Sequence, residues 1–417
     1  MSTSGTTSHA TLNLDRRGVP AMGRVVLRML QGLAIGTLDV QLPDGQHARF
    51  GQDPALHPQA PRAGLHLRDW AACSAAVKSG DIGFAEAYIA GQWSTPDLTA
   101  LLKVLIANRT HLESIVYGHW LGRLAYRIKH LLNHNSKGNS RKNIQAHYDL
   151  GNDFYRLWLD PSMSYSSAWF EGDLSRPLLD AQDAKYRRVL SEAGVLGGPA
   201  GLRVLEVGCG WGGLAELATR ECQAHLTGVT LSTEQLAWAQ DRLAKAGVGK
   251  QADLRLQDYR DITDPPFDAI VSIEMFEAVG QQYWPGYFAM LGRLLKPGGR
   301  ACIQTITIHD DLFDRYSKST DFIQQYIFPG GMLPSDREFK RYAERAGLKV
   351  VNSLAFGPDY AETLRRWRAD FQQHIHAVQR LGFDERFQRI WEFYLCYCEA
   401  AFDTDNTNVM QYTLVKA

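Results

Sequence analysis

The stretch Arg203-Val-Leu-Glu-Val-Gly-Cys-Gly-Trp-Gly-Gly213 decides the fold of this chain. Its apolar start predicts a short buried β-strand that ends around the acid Glu206. The glycines Gly208, Gly210 and Gly212 predict a turn in which the backbone approaches a ligand closely, because a Cβ atom would collide there. A helix is predicted to follow. Ligands of open α/β sheets bind at such a strand-to-helix edge, so the stretch predicts an enzyme with a nucleotide-like cofactor.

Strands and helices alternate along the chain beyond residue 143. This alternation predicts the α/β class, with a doubly wound, mostly parallel sheet of seven strands. The predicted strands are 203–207, 225–229, 253–257, 268–273, 301–306, 348–354 and 408–415. The predicted helices are 212–221, 232–245, 284–295, 336–346, 361–380 and 384–402, the last two as additions rich in aromatic residues.

Composition limits the class of protein. The chain has 417 residues and a formal net charge of zero, which predicts two globular domains and gives nucleic acid no overall attraction. No apolar run reaches the roughly 20 residues of a membrane span. The N-terminus lacks the form of a signal peptide. The six cysteines are scattered, which predicts no metal site and favours a reducing cytoplasm.

A basic segment divides the chain. No acid occurs between Glu113 and Asp149, where six lysines and arginines accompany apolar residues at helical spacing. Such a helix either lies on an anionic membrane or packs its apolar face on the next domain, and the pattern leaves both open. The predicted organisation is a disordered tail at 1–20, a small domain at 21–120, this helix and a linker at 121–142, and a catalytic domain at 143–417.

The glycine spacing also matches the fingerprint of dinucleotide-binding enzymes. Those proteins carry an acid at the end of the second strand to hold a ribose hydroxyl. Here the second strand ends in Thr230-Leu-Ser232 instead. An acid just before the glycines, as at Glu206, resembles S-adenosylmethionine (SAM) methyltransferases, in which it lies near the methionine end of the cofactor.

Seven motifs in one order resemble cyclopropane-fatty-acyl-phospholipid synthases and their mycolic acid relatives. They are His147-Tyr-Asp-Leu-Gly-Asn-Asp-Phe-Tyr155, Met163-Ser-Tyr-Ser-Ser-Ala-Trp169, Gly208-Cys-Gly-Trp-Gly-Gly213, Gly228-Val-Thr-Leu-Ser232, Leu256-Gln-Asp-Tyr-Arg-Asp261, Met275-Phe-Glu-Ala-Val-Gly280 and Tyr326-Ile-Phe-Pro-Gly-Gly-Met-Leu-Pro334. The resemblance implies that SAM methylates a cis alkene of a lipid chain. A base then removes a proton from the new methyl group and a cyclopropane ring closes. In the family, that base is a bound bicarbonate.

The resemblance also implies a set of residues that bind SAM. Those residues are Tyr165, Ser166 and Glu206 near the methionine end, Gly208, Gly210 and Gly212 in the glycine loop, Thr230 and Gln235 near the ribose, and Asp258 and Tyr259 near the adenine.

A second set is implied to be catalytic. Glu277 and Tyr360 match residues that hold bicarbonate, as does Ile306 through its backbone. Cys398 matches a cysteine sometimes proposed as catalytic, although its helical setting among apolar residues favours a core position.

Three departures from the family pattern bear on the product. Ser167 replaces a cysteine that binds bicarbonate, and Gln304 and Ala278 replace histidines. The side chains of Ser167 and Gln304 are still expected to donate hydrogen bonds, but neither supplies a positive charge. The carbocation is therefore expected to form, while its fate is open between a ring and a methylene branch that later reduction would convert to a methyl branch.

The resulting prediction is SAM-dependent transfer of a one-carbon unit to unsaturated phospholipid acyl chains, with ring closure favoured. The alternatives are a fatty-acyl C-methyltransferase, a small-molecule methyltransferase, and a lipid-binding protein that has lost catalysis. The expected partner is phospholipid at the inner face of the membrane, met by a cytoplasmic, peripherally bound protein. The family suggests a homodimer, and a second enzyme is a candidate to act on the product.

Overall fold

The computed structural model describes residues 18–116 and 150–416. Within them the chain forms two compact units, one of residues 18–116 with 384–404 and one of residues 150–383 with 405–416. The basic segment predicted at 121–142, residues 1–17 of the predicted tail and the start of the motif at 147 lie outside the described residues. The domain bounds drawn from the sequence stay predictions.

The first unit contains a four-stranded sheet. Its strands are β1 (Thr37–Gln41), β2 (His47–Gly51), β3 (Arg62–Leu67) and β4 (Trp93–Ser94), in the order β2-β1-β3-β4. Its helices are Ala21–Gln31, Ala71–Ile89, Leu98–Ala107, Arg109–Val116 and Glu385–Asp403. The sequence of this part predicts helices at 69–78 and 99–106 and no strand. The two helices are confirmed by Ala71–Ile89 and Leu98–Ala107, whereas the strands are not anticipated.

The helix Glu385–Asp403 belongs to the first unit although it lies near the end of the chain. The Tyr88 hydroxyl donates a hydrogen bond to Glu392 Oε2 at 2.6 Å. The Thr99 hydroxyl donates to Glu399 Oε2 at 3.1 Å. A late segment therefore completes the core of an early unit, which sequence order does not indicate.

The second unit contains the seven-stranded sheet, in the order β10-β11-β9-β8-β5-β6-β7. Its strands are β5 (Arg203–Val207), β6 (His225–Thr230), β7 (Ala252–Leu256), β8 (Phe267–Ile273), β9 (Leu295–Ile308), β10 (Leu348–Ala355) and β11 (Thr407–Lys416). Strands β5 to β9 pair in parallel, and β11 runs antiparallel to β9 and β10. The predicted doubly wound, mostly parallel sheet is confirmed.

Helices surround this sheet, and local sequence sets several of their ends. The Ser232 hydroxyl accepts a hydrogen bond from the Gln235 N–H at 3.2 Å and so caps one helix. The helices are Asn152–Tyr155, Leu178–Glu192, Gly213–Cys222, Thr233–Lys245, Trp284–Leu294, Asp310–Tyr316, Phe322–Tyr326, Asp336–Arg345, Gly357–Gln373 and Ile375–Arg380. Short 3₁₀ turns occur at Gly249–Gln251, Tyr259–Asp261, Phe276–Ala278 and Gln281–Tyr283.

Strand β9 begins earlier than predicted. Leu295 pairs with Phe267, and the pairing then jumps so that Arg300 lies opposite Ala269. Pro297-Gly-Gly299, which by residue type predicts a turn before the strand, is therefore an irregularity within a longer strand. Gly298, with φ of 73°, allows the chain to bend there and return to the sheet.

The carboxyl ends of the parallel strands gather chemistry-bearing residues at one edge of the sheet. Glu206, Thr230, Glu274 and Gln304 all lie at or near this edge. The inner strands β5 and β8 are almost fully buried apolar runs, as expected for a parallel sheet covered on both faces. No helix within residues 18–116 and 150–416 combines the length and apolar character needed to cross a bilayer.

Candidate active site

The glycine loop after β5 is packed tightly at two positions and open at a third. A Cβ atom on Gly208 (φ 89°) would lie 2.9 Å from the Met275 side chain, and one on Gly212 (φ 82°) would lie 2.9 Å from Ala239. At Gly210 (φ 50°) an added Cβ would meet no other described heavy atom within 4 Å. The loop therefore presents free backbone to a ligand at Gly210.

The acid before this loop is buried with one oxygen unpaired. Glu206 is 4% exposed, and among the described residues its Oε2 atom has no hydrogen-bond partner. Loss of solvent raises the pKa of its carboxyl to about 8. An unpaired buried oxygen is costly unless a ligand group meets it, so this position fits a cationic or hydroxyl group of a cofactor.

The residues predicted near the ribose and adenine of SAM lie at the ends of the next two strands. The Thr230 hydroxyl donates to Gln235 Oε1 at 2.9 Å. After β7, the Asp258 carboxylate pairs with Arg260 at 2.6 Å, and Tyr259 is half-buried beside them. The structure thus brings these residues to the edge that holds the glycine loop, and their contacts with SAM stay predictions.

Glu274 is the most connected acid of the site. It directly follows β8 with φ of 48°. Its Oε1 accepts hydrogen bonds from the Ser167 N–H and from Gln304 Nε2, each at 2.8 Å. Its Oε2 accepts one from the Tyr360 hydroxyl at 2.9 Å. Three residues that the resemblance places around bicarbonate therefore donate to one protein carboxylate.

The charge of a fully buried lysine, Lys185, favours the anionic form of Glu274. Lys185 Nζ donates to Ser166 Oγ and to Gln182 Oε1, each at 2.6 Å. Burial lowers the pKa of Lys185 to about 8, against the opposing effect of the Glu274 charge. Loss of solvent raises the pKa of Glu274, and Lys185 with the three donors acts in the opposite direction. The lysine charge therefore offsets part of the cost of a carboxylate here.

Glu277 is held by the neighbouring part of β9. Its Oε1 accepts from the Ile306 N–H at 2.5 Å and from the Thr305 hydroxyl at 3.0 Å. Its Oε2 is buried and has no hydrogen-bond partner in the described part of the chain. Loss of solvent, then the charge of Glu274, raises the pKa of Glu277 to about 8. Because the charge of one carboxylate disfavours ionisation of the other, Glu274 and Glu277 do not readily ionise together.

Aromatic rings connect the glycine loop with these acids. We define the aromatic cluster as Tyr155, Trp158, Tyr165, Trp211, Tyr360 and Trp367. Ring centroids lie 5.1 Å apart for Trp211 and Tyr155, 5.6 Å for Tyr155 and Tyr165, 5.5 Å for Tyr165 and Trp367, and 6.0 Å for Trp367 and Tyr360. Trp367 is fully buried and Tyr165 half-buried. The cluster therefore forms an apolar wall between the cofactor edge and Glu274.

Two further predicted catalytic residues are Ser167 and Cys398. The Ser167 hydroxyl donates a hydrogen bond to the Ala168 carbonyl at 2.9 Å. Ser167 reaches the site through its backbone N–H instead. Cys398 is half-buried on the helix Glu385–Asp403 of the first unit, whereas Glu274 and Glu277 lie in the second. A catalytic role for Cys398 stays a prediction.

Sequence reasoning missed Glu274 and Lys185. Glu274 carried a usable signal, since it directly follows a buried parallel strand, where functional groups of this fold gather. The motif position of Glu277 is the stronger signal. Lys185 carried none, because it lies between Ala184 and Tyr186 in an ordinary amphipathic helical pattern. Its burial is a consequence of tertiary packing.

We expect SAM binding to release a proton from Glu206. The carboxyl is mostly protonated below its pKa of about 8, and a cationic amino group favours the carboxylate. The Kd should therefore fall by up to about tenfold per pH unit as the pH rises toward 8. Titration calorimetry in buffers of different ionisation enthalpy measures this release. Glu206→Gln should flatten the pH dependence, and equal slopes for both proteins would contradict the assignment.

Comparison with known proteins gives extensive matches. The family model described as mycolic acid cyclopropane synthetase matches residues 135–412. The tuberculostearic acid methyltransferase UfaA1 of Mycobacterium tuberculosis is 42% identical over 371 residues, which cover 87% of this chain and 85% of that protein. The cyclopropane-fatty-acyl-phospholipid synthase of Escherichia coli is 33% identical over 387 residues, or 89% of this chain and 94% of that protein.

Solved structures agree with these matches. The mycolic acid cyclopropane synthase CmaA1, complexed with SAH and CTAB, is 34% identical with a TM-score of 0.61 and covers 66% of this chain and 97% of its own. The cyclopropane synthase MmaA2 from Mycobacterium tuberculosis is 31% identical with a TM-score of 0.61, and the match covers 66% of this chain and 98% of that chain. The resemblance predicted from seven motifs is confirmed.

Proposed function

The chain belongs to the mycolic acid cyclopropane synthetase family and is a SAM-dependent methyltransferase; from this premise we propose that it methylates the double bond of unsaturated phospholipid acyl chains and releases a methylene-branched product. The relatives named above act on lipids. The open backbone at Gly210 and the unpaired oxygen of Glu206 fit SAM, which supplies an electrophilic methyl group when bound.

The aromatic cluster is the observation that carries this proposal. Methylation of an alkene leaves a carbocation on the lipid chain, which water would trap at once. Aromatic faces stabilise a nearby cation by about 0.5–2 kcal/mol each. Here they extend from Trp211 in the glycine loop to Tyr360, whose hydroxyl donates to Glu274. An apolar, aromatic wall that ends at a carboxylate suits formation of a cation followed by loss of a proton.

The product depends on what happens before that proton leaves. If the proton leaves the new methyl group at once, the freed electron pair closes a cyclopropane ring. If a hydride first moves from the methylated carbon to the cationic carbon, loss of the same kind of proton gives a methylene branch. Replacement of the bicarbonate residues by Ser167 and Gln304 supports the second course. So does the 42% identity with a tuberculostearic acid methyltransferase.

Ring closure is the second candidate. It is favoured by the identity with the Escherichia coli cyclopropane synthase, which extends over 94% of that protein. The two products have the same mass, since each adds one CH₂ unit to the acyl chain.

The first experiment incubates the full chain with SAM and vesicles of dioleoyl phosphatidylglycerol. We expect the acyl chains to gain one CH₂ unit, and proton NMR of the extracted lipid to show olefinic methylene signals. Cyclopropane signals in their place would establish the second candidate. Vesicles of saturated phospholipid are the control and should remain unchanged. Absence of any gain while SAM binding is intact would contradict both candidates.

A methylene-branched product is the substrate for a further reaction, reduction to a methyl branch. Its conversion to a methyl branch requires a hydride donor and a proton, so we propose that a separate reductase consumes this product. The proposed binding to the inner face of the membrane depends on the basic segment, which lies outside the described residues. That binding and the homodimer stay predictions.

A further inference from the structure

We infer that Glu274 is the catalytic base of this enzyme and replaces bicarbonate with a carboxylate built into the chain. The inference rests on the proposed function, because it names the group that receives the proton from the methylated lipid. It begins from a mismatch between the site and the anion that the family resemblance implies.

The donors that would hold bicarbonate are already used within the protein. The Ser167 N–H, Gln304 Nε2 and the Tyr360 hydroxyl all donate to Glu274. The Ile306 N–H donates to Glu277. A further anion would lack these hydrogen bonds and would face two acids. Bicarbonate therefore does not fit the site of this chain.

The surroundings of Glu274 favour its anionic form more than those of Glu277. Glu274 receives three hydrogen bonds, and Lys185 lies behind it, bonded to Ser166, the residue next to Ser167. Glu277 receives two hydrogen bonds and leaves one buried oxygen unpaired. When only one acid of the pair ionises, these contacts favour Glu274. A base in this site must start as the anion, so the contacts select Glu274.

Glu274 also lies where the methyl group is delivered. The next residue, Met275, packs against Gly208 so closely that a Cβ there would lie 2.9 Å from its side chain. On its other side, Glu274 accepts from Tyr360, whose ring contacts Trp367 of the aromatic cluster. The carboxylate is thus fixed between the cofactor loop and the wall that faces the cation.

The step balances without any further reactant. The π electrons of the alkene form the new C–CH₃ bond as the S–CH₃ bond of SAM breaks, leaving a neutral thioether and a lipid cation. For a methylene branch, a hydride first moves from the methylated carbon to the cationic carbon. Glu274 then takes a proton from the new methyl group, and the C–H electron pair becomes the methylene double bond or, without the hydride shift, the third ring bond. The carboxyl then returns its proton to solvent.

Glu274→Gly tests the inference by removing the carboxylate and opening its place. Glycine suits the φ of 48°. Wild-type enzyme should work fully in buffer stripped of carbon dioxide. The variant should lose at least about 100-fold in turnover, the scale of general-base catalysis. Millimolar bicarbonate or formate should restore at least about tenfold, because the three donors are then free. Glu274→Gln should lose activity without rescue, since its amide fills the space.

Glu171→Gly is the matched control. Glu171 also has a positive φ, 55°, and pairs with Arg176, so its loss reports the backbone effect together with the loss of one partly exposed ion pair. Its turnover should stay within about twofold of wild type. Dependence of the wild type on bicarbonate, or retention of activity in Glu274→Gln, would overturn the inference.

A binding measurement separates this inference from the proposed function. Carbon-13 NMR of labelled bicarbonate should show binding to Glu274→Gly and none to the wild type, whether or not any lipid is consumed. Binding to the wild type would refute the replacement of bicarbonate. If the wild type leaves unsaturated vesicles unchanged yet shows the expected binding pattern, the proposed substrate is wrong and the built-in carboxylate stands.

Discussion

Gly210→Ala is expected to weaken SAM binding by at least about 30-fold, or roughly 2 kcal/mol. An added Cβ at this residue would meet no described heavy atom within 4 Å, so the folded protein accommodates it. Any large loss must come from a collision with the ligand. Isothermal titration calorimetry measures the loss, and thermal unfolding without SAM checks the fold.

Gly172→Ala is the matched control for this experiment. Gly172 also has a positive φ, 82°, and open space where a Cβ would project. Both substitutions place alanine in a left-handed conformation, which costs about 1–2 kcal/mol. They should therefore lower thermal stability to a similar degree, while only Gly210→Ala weakens SAM binding. Equal SAM affinities in the two variants would show that the ligand does not approach Gly210.

Trp367→Ala is expected to destabilise the protein by about 3–5 kcal/mol and to change its product. The indole is fully buried and contacts the rings of Trp158, Tyr165 and Tyr360. Its removal leaves a cavity beside the proposed path of the cation and takes away one stabilising aromatic face. Water that enters this space would trap the cation as an alcohol. Mass analysis should then show lipid that has gained one CH₂ unit and one water.

Trp391→Ala separates the loss of stability from the change of product. Trp391 is 2% exposed and lies on the helix Glu385–Asp403 of the first unit. Its loss should destabilise the protein by a comparable amount without producing alcohol. Trp367→Phe should restore much of the stability and suppress the alcohol, because a phenyl ring still fills most of the space. Alcohol from both tryptophan deletions would mean that general loosening, not the aromatic cluster, admits water.

The catalytic sheet could be predicted because its inner strands β5 and β8 are almost continuous apolar runs, and because strands alternate with amphipathic helices after a glycine loop. Each of these signals is local in sequence. The strands of the first unit were missed for the opposite reason. They are short and partly exposed, as in β2 (His47–Gly51), where only Phe50 is buried. Such strands are defined by their partners in the sheet, and a single sequence does not show the partners.

The site residues also divide into those with a local sequence signal and those defined by contacts between distant segments. Glu206, the glycines and Glu277 follow from motifs that accompany a strand end. The role of Glu274 depends on donors from three other segments, around Ser167, Gln304 and Tyr360. The burial of Lys185 depends on tertiary packing in the same way. The Ser167 hydroxyl donates to the Ala168 carbonyl, while the backbone N–H of the same residue donates to Glu274, a contact that the residue type does not reveal.

The position of β11 (Thr407–Lys416) has a consequence for how the chain folds as it is synthesised. This strand lies between β9 and β10 and pairs with both. Until the ribosome has released residue 416, the growing chain presents β9 as an unprotected edge and leaves β10 without its partner. Exposed edges of this kind invite pairing with other chains. We therefore expect the nascent protein to expose unpaired strand edges for longer than a chain whose last strand lies at the edge of its sheet.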